Sequence, residues 1–158
     1  MKQFFLAITI LAGFTLSARA QGGSDLIDID ASKLLSNYNI IIKAPSNVKA
    51  SADKNNIIVT NQIQFQVSVT KAGQAKPEED KKLVTQSKTE AFQQFIQEDG
   101  SGFIYSCKVG DKTVYHFRCY TSFKGGKYIF EDKVTNAVSL DDIKLMYALA
   151  QMTEEKQG

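Results

Sequence analysis

Tryptophan is absent from the sequence, and histidine occurs once, as His116. A single histidine leaves few routes to general acid–base catalysis at neutral pH, and sugar-cleaving clefts usually carry tryptophan beside their paired carboxylates. The motifs GxSxG and HExxH are missing, and no SxxK is placed for acylation. The sequence therefore predicts a protein that is not an enzyme, with a small hydrolase kept as a third candidate.

An excess of charge of one sign is also missing, since 19 Lys and Arg residues face 17 Asp and Glu residues. Nucleic-acid binders usually carry a basic excess, with arginines for bidentate contacts. Only Arg118 remains once a leader that includes Arg19 is removed. We therefore expect no nucleic-acid partner, and nothing in the sequence indicates a cofactor.

No apolar run reaches the roughly 20 residues that cross a bilayer, although the chain begins with a short one. Lys2, the apolar run from Phe4 to Phe14 and the small-x-small site Ala18-Arg19-Ala20 together have the pattern of a cleaved signal peptide. Gln21 stands where a bacterial lipoprotein would need cysteine. We expect bacterial-type export to a periplasmic or secreted location, with no lipid anchor and no membrane span after cleavage.

The rest of the chain suffices for one domain with one core. After the signal peptide at 1–20 we expect a flexible N-terminal arm or short edge strand at 21–37, a single α+β domain at 38–152 and a C-terminal tail at 153–158. The predicted fold class is α+β, an antiparallel sheet of about six to seven strands packed with two helices. Its predicted order is four strands, a helix, three strands and a helix.

Alternation and turn residues define the strands. The four before the first helix are Tyr38–Lys43, Val48–Ala52, Ile57–Thr60 and Gln62–Thr70. In the last of these, apolar residues alternate strictly with polar ones, so we expect Ile63, Phe65, Val67 and Val69 to face the core. Three more strands form a meander, Gly102–Val109, Thr113–Phe123 and Lys127–Val134, with Gly125-Gly126 joining the last pair.

Two helices are predicted from spacing and end signals. Pro77 followed by three acidic residues is a good helix start. Apolar residues recur at helical spacing as far as Ile96, which predicts a helix over 77–98. The second helix follows the capping signal Ser139-Leu-Asp-Asp142.

Both cysteines and the histidine lie in one predicted hairpin, from Cys107 to Cys119. We favour a three-residue loop at 110–112, because it places both thiols on the core-facing side and His116 and Arg118 on the other. A two-residue loop would flip the second strand and mix the charged residues into the aromatic side.

The favoured register separates the chemically active groups. Cys119 then lies about 13 Å from Cys107, at roughly 3.3 Å per residue, whereas a disulfide needs Cα atoms within about 7 Å. Buried free thiols are therefore favoured, but export to an oxidising compartment keeps a Cys107–Cys119 disulfide open as the alternative. Because His116 projects away from both thiols, we expect neither a metal site nor a nucleophilic cysteine.

The order of elements resembles the PsbP-like α/β/α sandwich. The resemblance rests on that order, on the run Tyr38-Asn-Ile-Ile-Ile-Lys-Ala-Pro45 and on the preceding signal peptide, and it spans roughly Tyr38 to Gln151. It implies a non-enzymatic adaptor or chaperone that binds another protein, and it assigns no functional residue. The glutamines from Gln62 to Gln66 depart from it, because a sheet covered on both faces should bury both sides.

These observations favour an exported, non-catalytic binding or adaptor domain that acts through protein–protein interaction, with an unknown partner in the cell envelope or outside the cell. The candidate contact patch is the outer face of the hairpin, where an arginine and a tyrosine lie together as in interface hot spots; it comprises Lys108, His116, Arg118 and Tyr120. The alternative is a periplasmic carrier of a small apolar ligand in a sheet–helix pocket, lined by Phe65, Phe92, Phe95, Tyr105 and Phe117.

Overall fold

A computed structural model describes residues 25–73, 76–133 and 138–157 of the chain. The predicted signal peptide and the first residues of the predicted arm lie outside these ranges. Two helices and two antiparallel sheets form the described chain, which confirms the predicted α+β class. None of the helices within these ranges is long and apolar enough to cross a membrane.

The small sheet contains three strands, Leu26–Asp30 (β1), Ile40–Pro45 (β2) and Glu154–Glu155 (β10), and a 3-10 turn at Ala31–Lys33 follows β1. The large sheet contains seven strands, Lys49–Asp53 (β3), Asn56–Thr60 (β4), Gln66–Ala72 (β5), Ala91–Asp99 (β6), Gly102–Val109 (β7), Lys112–Phe123 (β8) and Gly126–Asp132 (β9). The helices are Pro77–Thr85 (α1) and Leu140–Gln151 (α2). The strand orders are β1-β2-β10 and β3-β4-β5-β9-β8-β7-β6.

The described residues of the expected arm and tail, 25–37 and 153–157, belong to the fold. β1 pairs with one side of β2 and β10 with the other, all antiparallel. Lys43 on β2 joins the two outer strands, 2.9 Å from Asp28 and 3.6 Å from Glu154. The short edge strand weighed for the arm is therefore present as β1.

The core lies between one face of the large sheet, the small sheet and α2. Tyr38, Phe117, Phe130 and Tyr147 are among its fully buried side chains. Ser139 caps α2 in a capping box with Asp142, as the sequence predicts. The Tyr38 hydroxyl ties the two sheets together, since it donates to the Asn55 carbonyl (2.5 Å) and accepts from the Lys71 N–H (2.7 Å).

Tyr38→Phe is therefore expected to lower the free energy of unfolding by about 1–3 kcal/mol, because the Lys71 N–H and the Asn55 carbonyl lose a shared partner in a half-buried place. Urea unfolding measures the change. Tyr115→Phe is the matched control, since Tyr115 is likewise a tyrosine of the large sheet, half-buried on β8. An equal loss in both variants would show that the hydroxyl of Tyr38 does not join the sheets.

The helix predicted over 77–98 is wrong beyond Thr85, because residues 91–99 form β6. The register of β6 against β7 shifts between Phe92 and Gln94 and again between Phe95 and Gln97. Each bulge inserts one extra residue and interrupts alternation. The apolar spacing of Phe92, Phe95 and Ile96 therefore imitates a helix while lying in a strand.

Two turns also differ from expectation. Ile63 lies in a loop before β5 and is 72% exposed, because Asn61 accepts hydrogen bonds from the N–H groups of Ile63, Gln64 and Phe65 and holds the chain out of the sheet. The β8–β9 turn consists of Lys124 and Gly125 rather than the two glycines, since Phe123 pairs with Gly126.

The favoured hairpin register is wrong as well. Val109 pairs with Lys112 and Cys107 with Val114, so the β7–β8 loop has two residues, with Gly110 at φ 59°. Glycine adopts this φ without strain, and a two-residue turn of this kind matches the twist of the strands. The register places His116 on the aromatic side, where carboxylates neutralise it.

Candidate functional site

The observed register brings several reactive groups to one side of the large sheet. Directly opposed residues of an antiparallel pair share a face, and Tyr105 pairs with His116 and Phe103 with Arg118. We call this side, which carries these four residues and Cys107, the α1 face. Cys119 pairs with Gly102 and lies on the core face with Phe117.

The predicted contact patch is therefore divided. His116, Arg118 and Tyr120 share the α1 face as expected, but Lys108 pairs with Thr113 on the opposite face. The three that stay together are partly covered by α1 and the chain after it, since the side chains of His116 and Arg118 are only 17% and 27% exposed. They form an internal polar network instead of an open patch.

His116 lies between two carboxylates. Its Nδ1 is 2.7 Å from Asp132, whose other oxygen accepts the Phe117 N–H at 2.8 Å. Its Nε2 lies 3.2 Å from Glu90, as a close ionic contact without hydrogen-bonding geometry. Burial opposes the charged ring, but the bond to Asp132 and the charges of both carboxylates raise the pKa of His116 above its ordinary value.

Arg118 fixes α1 on the sheet. Its guanidinium lies 2.9 Å from Asp80 of α1 and 3.5 Å from Glu131 of β9. The Tyr120 hydroxyl donates to the same Asp80 carboxylate at 2.5 Å. Each charged group that could act on a substrate here is thus already paired with another group of the chain.

A small pocket opens at the margin of α1. Its volume is about 170 Å³, and it is lined by Leu83, Val84, Ser87, Glu90, Tyr105, Cys107 and Arg118. Ligand sites usually measure about 300–1,000 Å³, so the pocket as it stands holds only a few atoms.

Both thiols are free and buried, and they lie on opposite faces of the sheet. Burial raises the pKa of Cys107 to about 11 and that of Cys119 to about 12. His116 shares a face with Cys107, which corrects the expectation that the ring points away from both thiols. The raised pKa still keeps Cys107 protonated and weakly nucleophilic at neutral pH.

The five aromatic residues of the alternative pocket do not meet. Phe65 and Phe117 are buried in the core. Phe92 and Phe95 lie on β6 with Tyr105 beside them on β7, and Phe95 packs on Phe103 of the α1 face. Among the described residues no group of three or more His, Cys, Asp or Glu side chains could hold a metal ion.

A larger cleft lies beside β10. This β10 cleft has a volume of about 840 Å³ and is lined by Ile41, Phe123, Lys124, Thr153, Glu154, Glu155, Lys156 and Gln157. It separates the free edge of the small sheet from the β8–β9 turn, and the two meet where Glu155 accepts the Gly125 N–H at 3.2 Å. No feature of the sequence predicts it, because a two-residue strand has no alternation to detect.

Two sets of polar groups at the β10 cleft lack a hydrogen-bonding partner among the described residues: the main-chain N–H and C=O of Glu155 and the hydroxyl of Thr153. Lys156 donates its N–H to the Asn39 carbonyl, and main-chain groups alternate in direction along an antiparallel strand. The N–H and C=O of Glu155 therefore point away from β2, towards the cleft. The Thr153 hydroxyl is buried and makes no hydrogen bond with the described residues, while Thr153 itself is only 6% exposed.

Comparisons of the chain with protein-family models, curated proteins and solved structures gave no match. The resemblance to the PsbP-like sandwich therefore stays a prediction.

Proposed function

We propose that the chain is an exported, non-catalytic binding or adaptor domain, and that a partner protein adds an extended segment to the free edge of β10. The observation that carries the proposal is the outward main-chain N–H and C=O of Glu155 at the border of the β10 cleft. Strand addition supplies affinity through such main-chain bonds. Export rests on the signal-peptide pattern of residues 1–20.

The charges of β10 indicate what the partner segment carries. Glu154 and Glu155 are consecutive, and the Glu154 side chain is 65% exposed. A second copy of this chain paired antiparallel across β10 would place glutamates opposite glutamates, which is unfavourable. A segment with a lysine or arginine opposite Glu154 and an apolar residue against Ile41 or Phe123 is complementary.

His116 and Arg118, charged side chains that the structure describes on the α1 face, are already paired, which supports a binding role. His116 and Arg118 each contact two carboxylates, and Cys107 has a raised pKa. The residue types that commonly act in catalysis are thus engaged in holding α1 and the sheet together.

The test compares Glu155→Pro with Glu155→Ala. Proline removes the N–H that points into the cleft and tolerates an edge position, whereas alanine removes only the side chain and keeps the N–H. A photo-crosslinking residue at Lys124 reports cleft occupancy in the producing cell, and one at Lys54, in the β3–β4 turn outside the cleft lining, is the control.

We expect a discrete crosslinked protein from position 124 and none from position 54. The product from position 124 should be lost in Glu155→Pro and kept in Glu155→Ala. A crosslinked product that survives in both variants would overturn strand addition, but protein binding at the β10 cleft would still be supported. The lack of any product at position 124 would overturn the cleft as the contact surface.

A further inference from the structure

Polar contacts hold α1 on the sheet more than apolar burial does. Val84 is its one buried residue, and Leu83 is 65% exposed. Asp80 makes the contacts to Arg118 and Tyr120 described above, and Lys81 lies 2.8 Å from Glu98 of β6. A nine-residue helix is marginal in water without docking contacts. The attachment of α1 therefore depends mainly on these two ionic contacts.

A row of aromatic rings lies beneath and beside α1. The ring centroids of Phe92 and Phe95 are 4.8 Å apart, those of Phe95 and Phe103 are 5.5 Å apart, and those of Phe103 and Tyr105 are 5.8 Å apart. The ammonium of Lys81 lies over the Phe103 ring at 5.9 Å. The aromatic row (Phe92, Phe95, Phe103, Tyr105) is thus an apolar platform covered by a charged helix.

The 170 Å³ pocket is the entrance to this platform. Leu83 and Val84 form its α1 side, and Tyr105 and Arg118 form its sheet side. Tyr105 is half-buried at this entrance, and its hydroxyl makes no hydrogen bond to the described residues. The entrance therefore presents a hydroxyl free to bond a ligand next to a guanidinium.

We propose that α1 is a lid over a binding site for a flat apolar molecule with one hydrogen-bonding group, which stacks on the aromatic row and bonds Tyr105. We expect the ligand to be small because the lid is attached to the sheet at both ends. β5 ends at Ala72 and β6 begins at Ala91, and Glu90 is held by His116. Because both ends of α1 stay joined to the sheet and the pocket at its margin measures about 170 Å³, the space under the lid suits a ring system and not a folded protein.

The test weakens the lid and measures binding of 1-N-phenylnaphthylamine, a flat aromatic probe with one N–H. Asp80→Asn removes the charge that Arg118 and Tyr120 contact. Glu79→Gln is the matched control, with the same charge change on the same helix at a residue whose one ion pair within the described chain is to exposed Lys76. We expect about tenfold tighter binding in Asp80→Asn and wild-type binding in Glu79→Gln.

The two cysteines report where the chain opens. Cys107 lies under α1 and Cys119 in the core, so lifting of the lid exposes only the first. N-Ethylmaleimide should label Cys107 about tenfold faster in Asp80→Asn, saturating probe should slow that labelling, and Cys119 should stay unlabelled.

Equal labelling of both thiols would show general unfolding and would overturn the proposal that α1 is a lid. Labelling of Cys107 that the probe does not slow would overturn the binding site. Lys81→Gln weakens the second ionic contact and should act in the same direction as Asp80→Asn, so the test does not depend on one variant folding. Failure here leaves the β10 cleft untouched, since no residue is shared between the two sites.

Discussion

Asp132→Asn is expected to destabilise the fold by about 2–4 kcal/mol at pH 6, which is at the lower range for removing one partner of a buried ion pair. The Asp132 side chain is only 3% exposed and its oxygens hold both the His116 ring and the Phe117 N–H. Asparagine keeps an acceptor for the N–H but presents its amide to Nδ1. That arrangement suits a neutral ring and disfavours the charged one.

The loss should depend on pH with a defined sign. The folded-state pKa of His116 is raised, so its contribution is complete below the unfolded value of 6.5 and disappears as the pH rises through the folded value. The difference in stability between wild type and Asp132→Asn should therefore be largest below pH 6.5 and shrink above the folded pKa. The remainder at high pH reflects the hydrogen bonds that Asp132 accepts from the neutral ring and from the Phe117 N–H.

Urea unfolding at pH 6 and pH 9, with NMR titration of the single imidazole, measures both effects. In the variant the pKa of His116 should be lower than in the wild type, because burial is then opposed by the Glu90 charge alone. Asp111→Asn, in the exposed β7–β8 turn, makes the same charge change and should be neutral. Equal losses at the two pH values would refute the ionic account.

The parts of the fold that sequence reasoning located are those with local signals. The alternation that ends at Val69 and the capping box at Ser139 predict β5 and α2, because a strand half exposed to water and a capped helix each leave a periodic or positional pattern. The meander from Gly102 onwards follows for the same reason.

Elements whose pattern depends on distant partners were not predictable. β6 is an edge strand with two bulges, so Phe92 and Phe95 recur with a spacing that is also typical of a helix. The hairpin register required knowing that Asp80 and Asp132, far apart in sequence, would neutralise Arg118 and His116 on the aromatic side. Without those partners, the register that places charged residues on the aromatic face is the less favourable of the two.

The candidate sites divide in the same way. Sequence reasoning selected His116, Arg118 and Tyr120 together, and the structure places them on one face. It missed Asp132, whose position at the end of β9 carries no motif, and it missed Glu155, whose place in the proposed β10 site comes only from the direction of its main chain. Sites made of main-chain groups leave no signal in residue type.

Gly102→Ala is expected to be at least as damaging as any variant above, with a loss of about 3–5 kcal/mol from overpacking and backbone strain together. A Cβ at this position would overlap the Arg118 carbonyl oxygen and lie 2.9 Å from the Cys119 Cα, both main-chain atoms of β8. Gly102 also has φ 158°, where side chains are strained. The strand that carries Arg118 and Cys119 would have to move.

Gly100→Ala, two residues earlier in the turn before β7, is the matched control, because no atom lies within 4 Å of a Cβ built there. It should change stability by less than about 0.5 kcal/mol, as exposed substitutions usually do. Thermal unfolding of both variants, with N-ethylmaleimide labelling of the two thiols, gives the comparison. Displacement of β8 should expose Cys119 in Gly102→Ala, whereas the lid variants should not. A stable Gly102→Ala protein with a protected Cys119 would mean that β7 and β8 do not approach as closely as described.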